Sequence, residues 1–204
     1  HAGIGQGYFL STPIQLCLMT AQLANGGFNI KPRILVDGDN QVNSLQEYLD
    51  FRKENPNDKN SIDQQVFNFN LRPLFRNQEN INFVKNAMFA ASNEPGGTSY
   101  GSRHKDEKFM FAGKTGSSQI KRFTEAQRKA EVKQSDIEYK KRDHAWFVAF
   151  APVKDPKYAI SVLVEHGGSG SSAAAPVAKK VIKKIIERHE TRELVNYKKL
   201  GENI

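Results

Sequence analysis

The stretch "FAGKTGSSQ", residues 111–119, decides what kind of protein this is, because its central residues belong to two incompatible readings. Gly113-Lys114-Thr115 is how a phosphate-binding loop ends; Lys114-Thr115-Gly116 is how one wall of a serine acyl-transfer site is written. A phosphate-binding loop needs a glycine five positions before Gly113, so that consecutive backbone N–H groups wrap around the phosphates. That position holds Lys108. The intervening Phe109, Met110, Phe111 and Ala112 form a short apolar run, which predicts a buried strand over 109–116 where the loop would have to lie. A phosphate loop also feeds directly into a helix, whereas Thr115 is followed by Gly116, Ser117 and Ser118, all poor or indifferent helix formers. Nucleotide binding is therefore set aside.

The acyl-transfer reading assigns each residue a task. Lys114 projects a cation that attracts a substrate carboxylate, and Thr115 adds a short hydroxyl. Gly116 has no Cβ, so a substrate backbone can lie against the strand, and the N–H of Ser117 can point at a developing oxyanion. Three common residues are weak evidence alone, so the surroundings decide.

On the C-terminal side, "HAWFVAFAPVKDPKYAISVLVEHGG" (144–168) has two aromatic and β-branched runs around a turn with Pro152, Asp155 and Pro156. It predicts an antiparallel hairpin with the strand carrying Lys114 beside its first arm. Pro176 then opens a helix whose Val177, Val181, Ile182, Ile185 and Ile186 form one stripe, opposite Lys179, Lys180, Lys183, Lys184 and Arg188; that stripe should lie across the sheet. On the N-terminal side, Ile81, Val84, Met88 and Ala91 predict a helix beginning after Asn77, and "NEPGGTSYG" (93–101) a turn. "STPIQLCLMTAQLANGG" (11–27) reads as a helix buried nearly all round, with Thr12 as N-cap, Pro13 at the first position, a Thr12-to-Gln15 capping box and Asn25-Gly26-Gly27 as its end. Two polar stretches, 37–65 and 119–142, read as surface insertions, the first with one short helix around Leu45 to Phe51 and the second mobile or projecting.

Composition sets the limits. With 204 residues and 38% hydrophobic content the chain reads as one globular unit. Its net charge of +8 points to anionic partners or simply to a solvated basic surface. A single cysteine, Cys17, excludes an internal disulfide and a multi-cysteine metal cluster, and its apolar neighbours suggest a core thiol. No run of 18 apolar residues and no signal peptide occurs. The sequence begins "HAGIGQG", without Met and with mid-domain character, so the expectation is an excised piece of a longer protein. A nucleic-acid module built on 119–142 and the C-terminal lysines lacks interleaved aromatics and matches no named motif.

Taken in order, "IGQGYFLSTPIQLCLMTAQLANGG", "NEPGGTSYG", "FAGKTGSSQ", "HAWFVAFAP" and "YAISVLVEHGGSGSSAAAPVAKKVI" resemble the class B penicillin-binding proteins, most closely their elongation type, penicillin-binding protein 2. The resemblance implies an α+β fold, an antiparallel sheet packed by helices of the penicillin-binding transpeptidase or serine β-lactamase-like kind, incomplete in this chain, with 1–204 as the C-terminal portion of one domain. It implies a serine D,D-transpeptidase that cross-links peptidoglycan stem peptides and is acylated by β-lactam antibiotics. Lys114, Thr115 and Gly116 take the catalytic motif positions, Lys114, Thr115 and Ser117 bind substrate, and the Ser117 backbone contributes to the oxyanion hole. No cofactor or metal is implied. Partners are cell-wall elongation proteins and no nucleic acid, at the periplasmic face of the bacterial inner membrane through an anchor outside this chain.

Two family motifs are missing. No Ser-x-Asn occurs, and the two Ser-x-x-Lys matches, from Ser102 and Ser118, lie in a polar turn and beyond the substrate strand rather than opening a buried helix. The nucleophile and its base are expected upstream of His1, which leaves the isolated chain inactive. His144 and His166 at the hairpin's ends read as structural, and "GGSGSS" (167–172) as a strand-to-helix turn near the cleft rather than a nucleophile elbow, since position 171 is Ser. The alternatives are a non-enzymatic penicillin-sensor domain and a D,D-carboxypeptidase.

Overall fold

The computed structural model describes residues 10–30, 32, 74, 77–120 and 136–201. The stretch 37–65, including the helix expected near Leu45, lies outside the described residues, as does most of 119–142. The described chain runs α1 (Pro13–Ala24), α2 (Gln78–Asn93), β1 (Ala112–Ser118), β2 (His144–Ala151), β3 (Tyr158–Val164) and α3 (Ala175–Gly201). The three strands form an antiparallel sheet in the order β1-β2-β3.

Helix ends form where local chemistry fixes them. Thr12 Oγ1 accepts the Gln15 N–H at 3.3 Å while Gln15 Oε1 accepts the Thr12 N–H at 2.8 Å, which satisfies two otherwise orphaned donors at the start of α1. At its end, Asn25 Oδ1 accepts from the N–H groups of Gly27 and Phe28, and Gly26 and Gly27 both turn the chain at φ +90°. Asn77 caps α2 by accepting the Glu79 N–H at 2.8 Å.

The strand of the opening motif starts later than its apolar run suggests. Asp106 caps a single 3₁₀ turn, Glu107–Phe109, accepting the Lys108 N–H at 3.0 Å, so Phe109 and Met110 precede β1 and the strand instead continues through Ser118. Register places Gly113 opposite Ala149, Thr115 opposite Phe147 and Ser117 opposite Ala145, and Phe147 opposite Val162.

Alternation gives the sheet two unlike faces. On one, Phe111, Ala145, Phe147, Ala149 and Ala151 pack against Ala174, Ala175, Ala178, Ile182 and Ile186 of the α3 region. This is the main core, and the Phe111 and Phe147 rings meet edge to face within it at 5.7 Å. On the other face, Ala112 and Phe150 pack with Met88 of α2 and Leu23 of α1.

Two burial expectations need correction. Among the α1 side chains only Thr20 is fully buried, and Ile14 and Met19 are 58% and 41% exposed. The helix rests one face on β3, and the described residues supply no second layer for the other. Likewise α3 covers the sheet as expected, but through Ala178, Ile182 and Ile186; Val177, Val181 and Ile185 turn outward. An apolar arc wider than its contact surface leaves its rim exposed. On α2, Ile81 and Met88 are buried as expected, whereas Val84 is not.

Candidate functional site

Among the described residues β1 is an edge strand, and its backbone explains how the site is organised. Adjacent residues in an antiparallel strand point their N–H and C=O groups alternately toward the partner and away. Gly113 directs both outward, since its N–H donates to Ser92 Oγ at 3.0 Å and its carbonyl accepts from the same hydroxyl at 3.4 Å. Phe111, two residues earlier, presents its carbonyl to Asn93 Nδ2 at 2.9 Å. By the same alternation, Thr115 and Ser117 point their N–H groups outward as well. The C-terminal end of α2 therefore caps the first two outward positions, and the strand runs past it with the next two facing the open edge.

Side chains alternate between the faces. Gly113 lies on the α3 face, where a Cβ would meet Phe147 Cζ at 2.4 Å and the Val148 carbonyl at 2.7 Å. A phenylalanine ring, not a phosphate, occupies the space this glycine leaves. Lys114 and Gly116 lie on the opposite face with Val148 and Trp146, both part-buried. Lys114 is exposed, and its Nζ donates to the Thr115 carbonyl at 2.9 Å, which holds the ammonium over the strand. Gly116, Ser117 and Ser118 are also exposed. The result is an open edge, or ledge, lined by one exposed cation and small residues, with Val148 and Trp146 as an apolar floor on the Lys114 face.

What backs the ledge is a buried hydroxyl pair. Ser92 and Ser99 are 0% and 1% exposed, with their Oγ atoms 3.0 Å apart. Ser99 also donates its N–H and Oγ to the Ala91 carbonyl, at 2.9 and 3.0 Å. The two hydroxyl protons are shared among the Ser92–Ser99 contact and those to the Gly113 and Ala91 carbonyls, which satisfies each buried oxygen and ties the loop after α2 to the helix that caps β1. Thr98, in this loop, accepts the Thr115 hydroxyl at 3.2 Å. Behind Gly116, the helical turn Gly170–Ala174 crosses so closely that a Cβ on Gly170 would lie 2.3 Å from the Trp146 carbonyl and 2.8 Å from that of Gly116. "GGSGSS" does lie against the motif, as a packing device.

The structure thus brings Lys114, Thr115, Gly116 and Ser117 onto one open edge. Ser102 is 6% exposed within a 3₁₀ turn, Tyr100–Ser102, and Ser118 ends β1; neither opens a helix. His144 and His166 come together with ring centroids 4.8 Å apart, and the His166 N–H donates to His144 Nδ1 at 2.9 Å, which ties both rings into the turn after β3. Cys17 sits beside β3, its thiol directed at the Ala159 carbonyl, 3.5 Å away; burial pushes the thiol above its ordinary pKa, and a backbone hydrogen bond at Ser161 works the other way. Sequence reasoning missed Ser92, Asn93, Thr98 and Gly170, because small polar residues and glycines carry no periodic signal and their partners are distant in sequence.

The family model described as "Penicillin binding protein transpeptidase domain" matches residues 1–183. The chain is 32% identical over 180 residues to peptidoglycan D,D-transpeptidase MrdA of Salmonella typhimurium, covering 88% of this chain and 26% of that protein. It is 30% identical over 186 residues to the protein of that name from Haemophilus influenzae, covering 88% and 24%. Among solved structures, Pseudomonas aeruginosa PBP2 in complex with WCK 5153 superposes with a TM-score of 0.58 at 30% identity, over 89% of this chain and 32% of that one. Helicobacter pylori PBP2 in complex with MreC gives 0.61 at 28% identity, over 91% and 26%. The chain therefore spans about a quarter of the length of these curated relatives. An α+β domain that matches this family over 183 residues, with its Lys-Thr-Gly on the open edge of an antiparallel sheet, belongs to the penicillin-binding protein transpeptidase family.

Proposed function

We propose that this chain forms the Lys-Thr-Gly wall of a peptidoglycan D,D-transpeptidase of the penicillin-binding protein 2 type, and that the nucleophilic serine and its lysine base come from sequence outside residues 1–204. The observation that carries this reading is the half-capped edge: α2 satisfies the Phe111 carbonyl and both outward backbone groups of Gly113, and those of Thr115 and Ser117 face the opening. An extended stem peptide adds to such an edge as a further strand, with backbone hydrogen bonds giving affinity and neighbouring side chains giving choice.

In this arrangement Lys114, Thr115 and the Ser117 hydroxyl receive the terminal carboxylate, and the absent side chain of Gly116 lets the peptide backbone approach. The serine attacks the penultimate D-alanine carbonyl, and the Ser117 N–H donates to the oxygen as it gains charge. Terminal D-alanine leaves, and the acyl group passes to an amine on a neighbouring strand. A β-lactam occupies the same place and acylates the same serine. The site works at the periplasmic face of the inner membrane, and a cell-wall elongation protein is the partner class, by analogy with the Helicobacter pylori relative solved with MreC. No described helix is long and apolar enough to cross a membrane.

A fluorescent penicillin tests the assignment. The longer polypeptide should label at a serine outside 1–204, and the isolated chain, shown folded by circular dichroism, should not label. An adduct on Ser102 or Ser118, found by mass spectrometry of the labelled peptide, would overturn it.

A further inference from the structure

A hydroxyl has one proton to give, and Thr115 gives its proton to Thr98. While it does so, it cannot donate to a carboxylate anion on the ledge. Thr98 is not placed by chance. Gly97 before it admits no side chain, since a Cβ would lie 2.5 Å from the Ala91 carbonyl and 2.6 Å from that of Ala90. Ser99 after it is pinned to Ala91 through both its N–H and its hydroxyl. The Thr115 backbone is held just as firmly two residues past Gly113, itself clamped by Ser92. Two fixed backbones thus hold two rotatable hydroxyls in contact, 3.2 Å apart.

We propose that Thr98 is a positioning residue for the ligand carboxylate, working as a two-hydroxyl relay that reverses direction when the carboxylate arrives. In the free site the relay runs from Thr115 to Thr98. When an anion reaches the ledge, the Thr115 O–H rotates to donate to it, and the Thr98 O–H rotates to donate to Thr115 Oγ1. Thr115 Oγ1 then accepts as well as donates, and a hydroxyl that accepts a hydrogen bond is a better donor in its own right. Thr98 touches no ligand; it acts only through Thr115. This inference rests on the acyl-transfer reading, and specifies how that site handles its anion.

The experiment is acylation of the longer polypeptide by a penicillin and by its methyl ester, which removes the anion and leaves the reactive ring. With the free acid, Thr98→Val should weaken the pre-covalent complex by about 3- to 10-fold, the value of one hydrogen bond, with the acylation rate constant unchanged. Thr98→Ser should restore binding. With the ester, Thr98→Val and the parent should bind alike, and in a Thr115→Val background Thr98→Val should have no further effect. Equal binding of the free acid by Thr98→Val and the parent would overturn the relay and leave the acyl-transfer reading standing. An equal loss with acid and ester would also overturn it, by reducing Thr98 to a structural support. A parent that neither reagent acylates would overturn the acyl-transfer reading and the relay with it.

Discussion

β1 and β3 flank the same central strand, yet their outer edges are built for opposite fates. The β1 edge reads Ala-Gly-Lys-Thr-Gly-Ser-Ser, exposed from Lys114 onward apart from part-buried Thr115, with a charge and small hydroxyls. The β3 edge reads Tyr-Ala-Ile-Ser-Val-Leu-Val, without a charge, and every residue is part-buried. Alternation from the β1 register turns the N–H groups of Ala159, Ser161 and Leu163 outward, away from β2. An uncharged apolar edge with unpaired backbone groups invites pairing, and stable proteins guard against it. Among the described residues only α1 lies over β3, its Cys17 meeting the outward groups of Ala159 and Ser161. An open edge does not by itself mark a binding site; what separates the two is whether the side chains suit water or a neighbour. β1 is suited to stay open, as the proposed ligand site requires. β3 is made to be covered, and we expect a strand from the longer polypeptide to cover it.

The largest blow to this comparison would remove what the two edges share. Phe147 is fully buried opposite Thr115 and Val162, its ring in the space Gly113 leaves, against Phe111 and beneath α3. Phe147→Ala should cost about 3 to 5 kcal/mol of stability, read from urea unfolding, and should degrade both edges together. The next change separates them. Lys114 is exposed and takes no part in the core, so Lys114→Ala should leave the unfolding midpoint unchanged. It should nonetheless slow penicillin acylation of the longer polypeptide by about 30- to 800-fold, the equivalent of about 2 to 4 kcal/mol of lost charge stabilisation. A fall in stability with normal acylation would mean that the open edge is structural.

How much of this was legible depends on how far apart the interacting residues lie in the chain. The α1 cap was readable because Thr12 and Gln15, and Asn25 and Gly27, meet within one turn. The hairpin was readable because alternation repeats over two full strands. The start of β1 was misplaced because Phe109 and Met110 look like strand residues, and only the Asp106 cap shows that the chain is still turning there. Exposure on α1 and α3 was misjudged for another reason: an apolar stripe reveals its width but not how much of it is covered. In the site, Lys114 to Ser117 stood out as a motif. Ser92, Thr98 and Gly170 did not, because their partners Gly113, Thr115 and Gly116 reach them only through the fold.

Hydrogen exchange reads the two edges directly. In the isolated chain, the outward amide of Leu163 should exchange as fast as those of Thr115 and Ser117, and that of Ser161 more slowly because it bonds the Cys17 sulfur. In the longer polypeptide, the β3 amides should slow by at least about tenfold as a strand pairs with them, while the β1 amides stay fast until a β-lactam is bound. Equal rates at β3 in both polypeptides would refute the covered edge.

The smallest effect belongs to Cys17, which reports on the β3 edge from α1. Its thiol sits against the Ala159 carbonyl, and burial raises its pKa, the hydrogen bond at Ser161 offsetting part of the rise. The folded thiol therefore holds its proton to higher pH than the unfolded one, which ionises near about 8.5. A proton held more tightly in the fold is a stabilising contribution that is complete below the unfolded pKa and is lost as pH rises through the folded one. Wild-type protein should accordingly lose more stability than Cys17→Ser between pH 7 and pH 10, and iodoacetamide should alkylate the folded chain at pH 8 more slowly than the urea-unfolded chain. If a strand closes over β3 in the longer polypeptide, the thiol loses more water and alkylation slows further. Equal rates in the folded short and long polypeptides would mean that the covering strand stops short of Ala159 and Ser161, and would narrow the predicted pairing to Leu163.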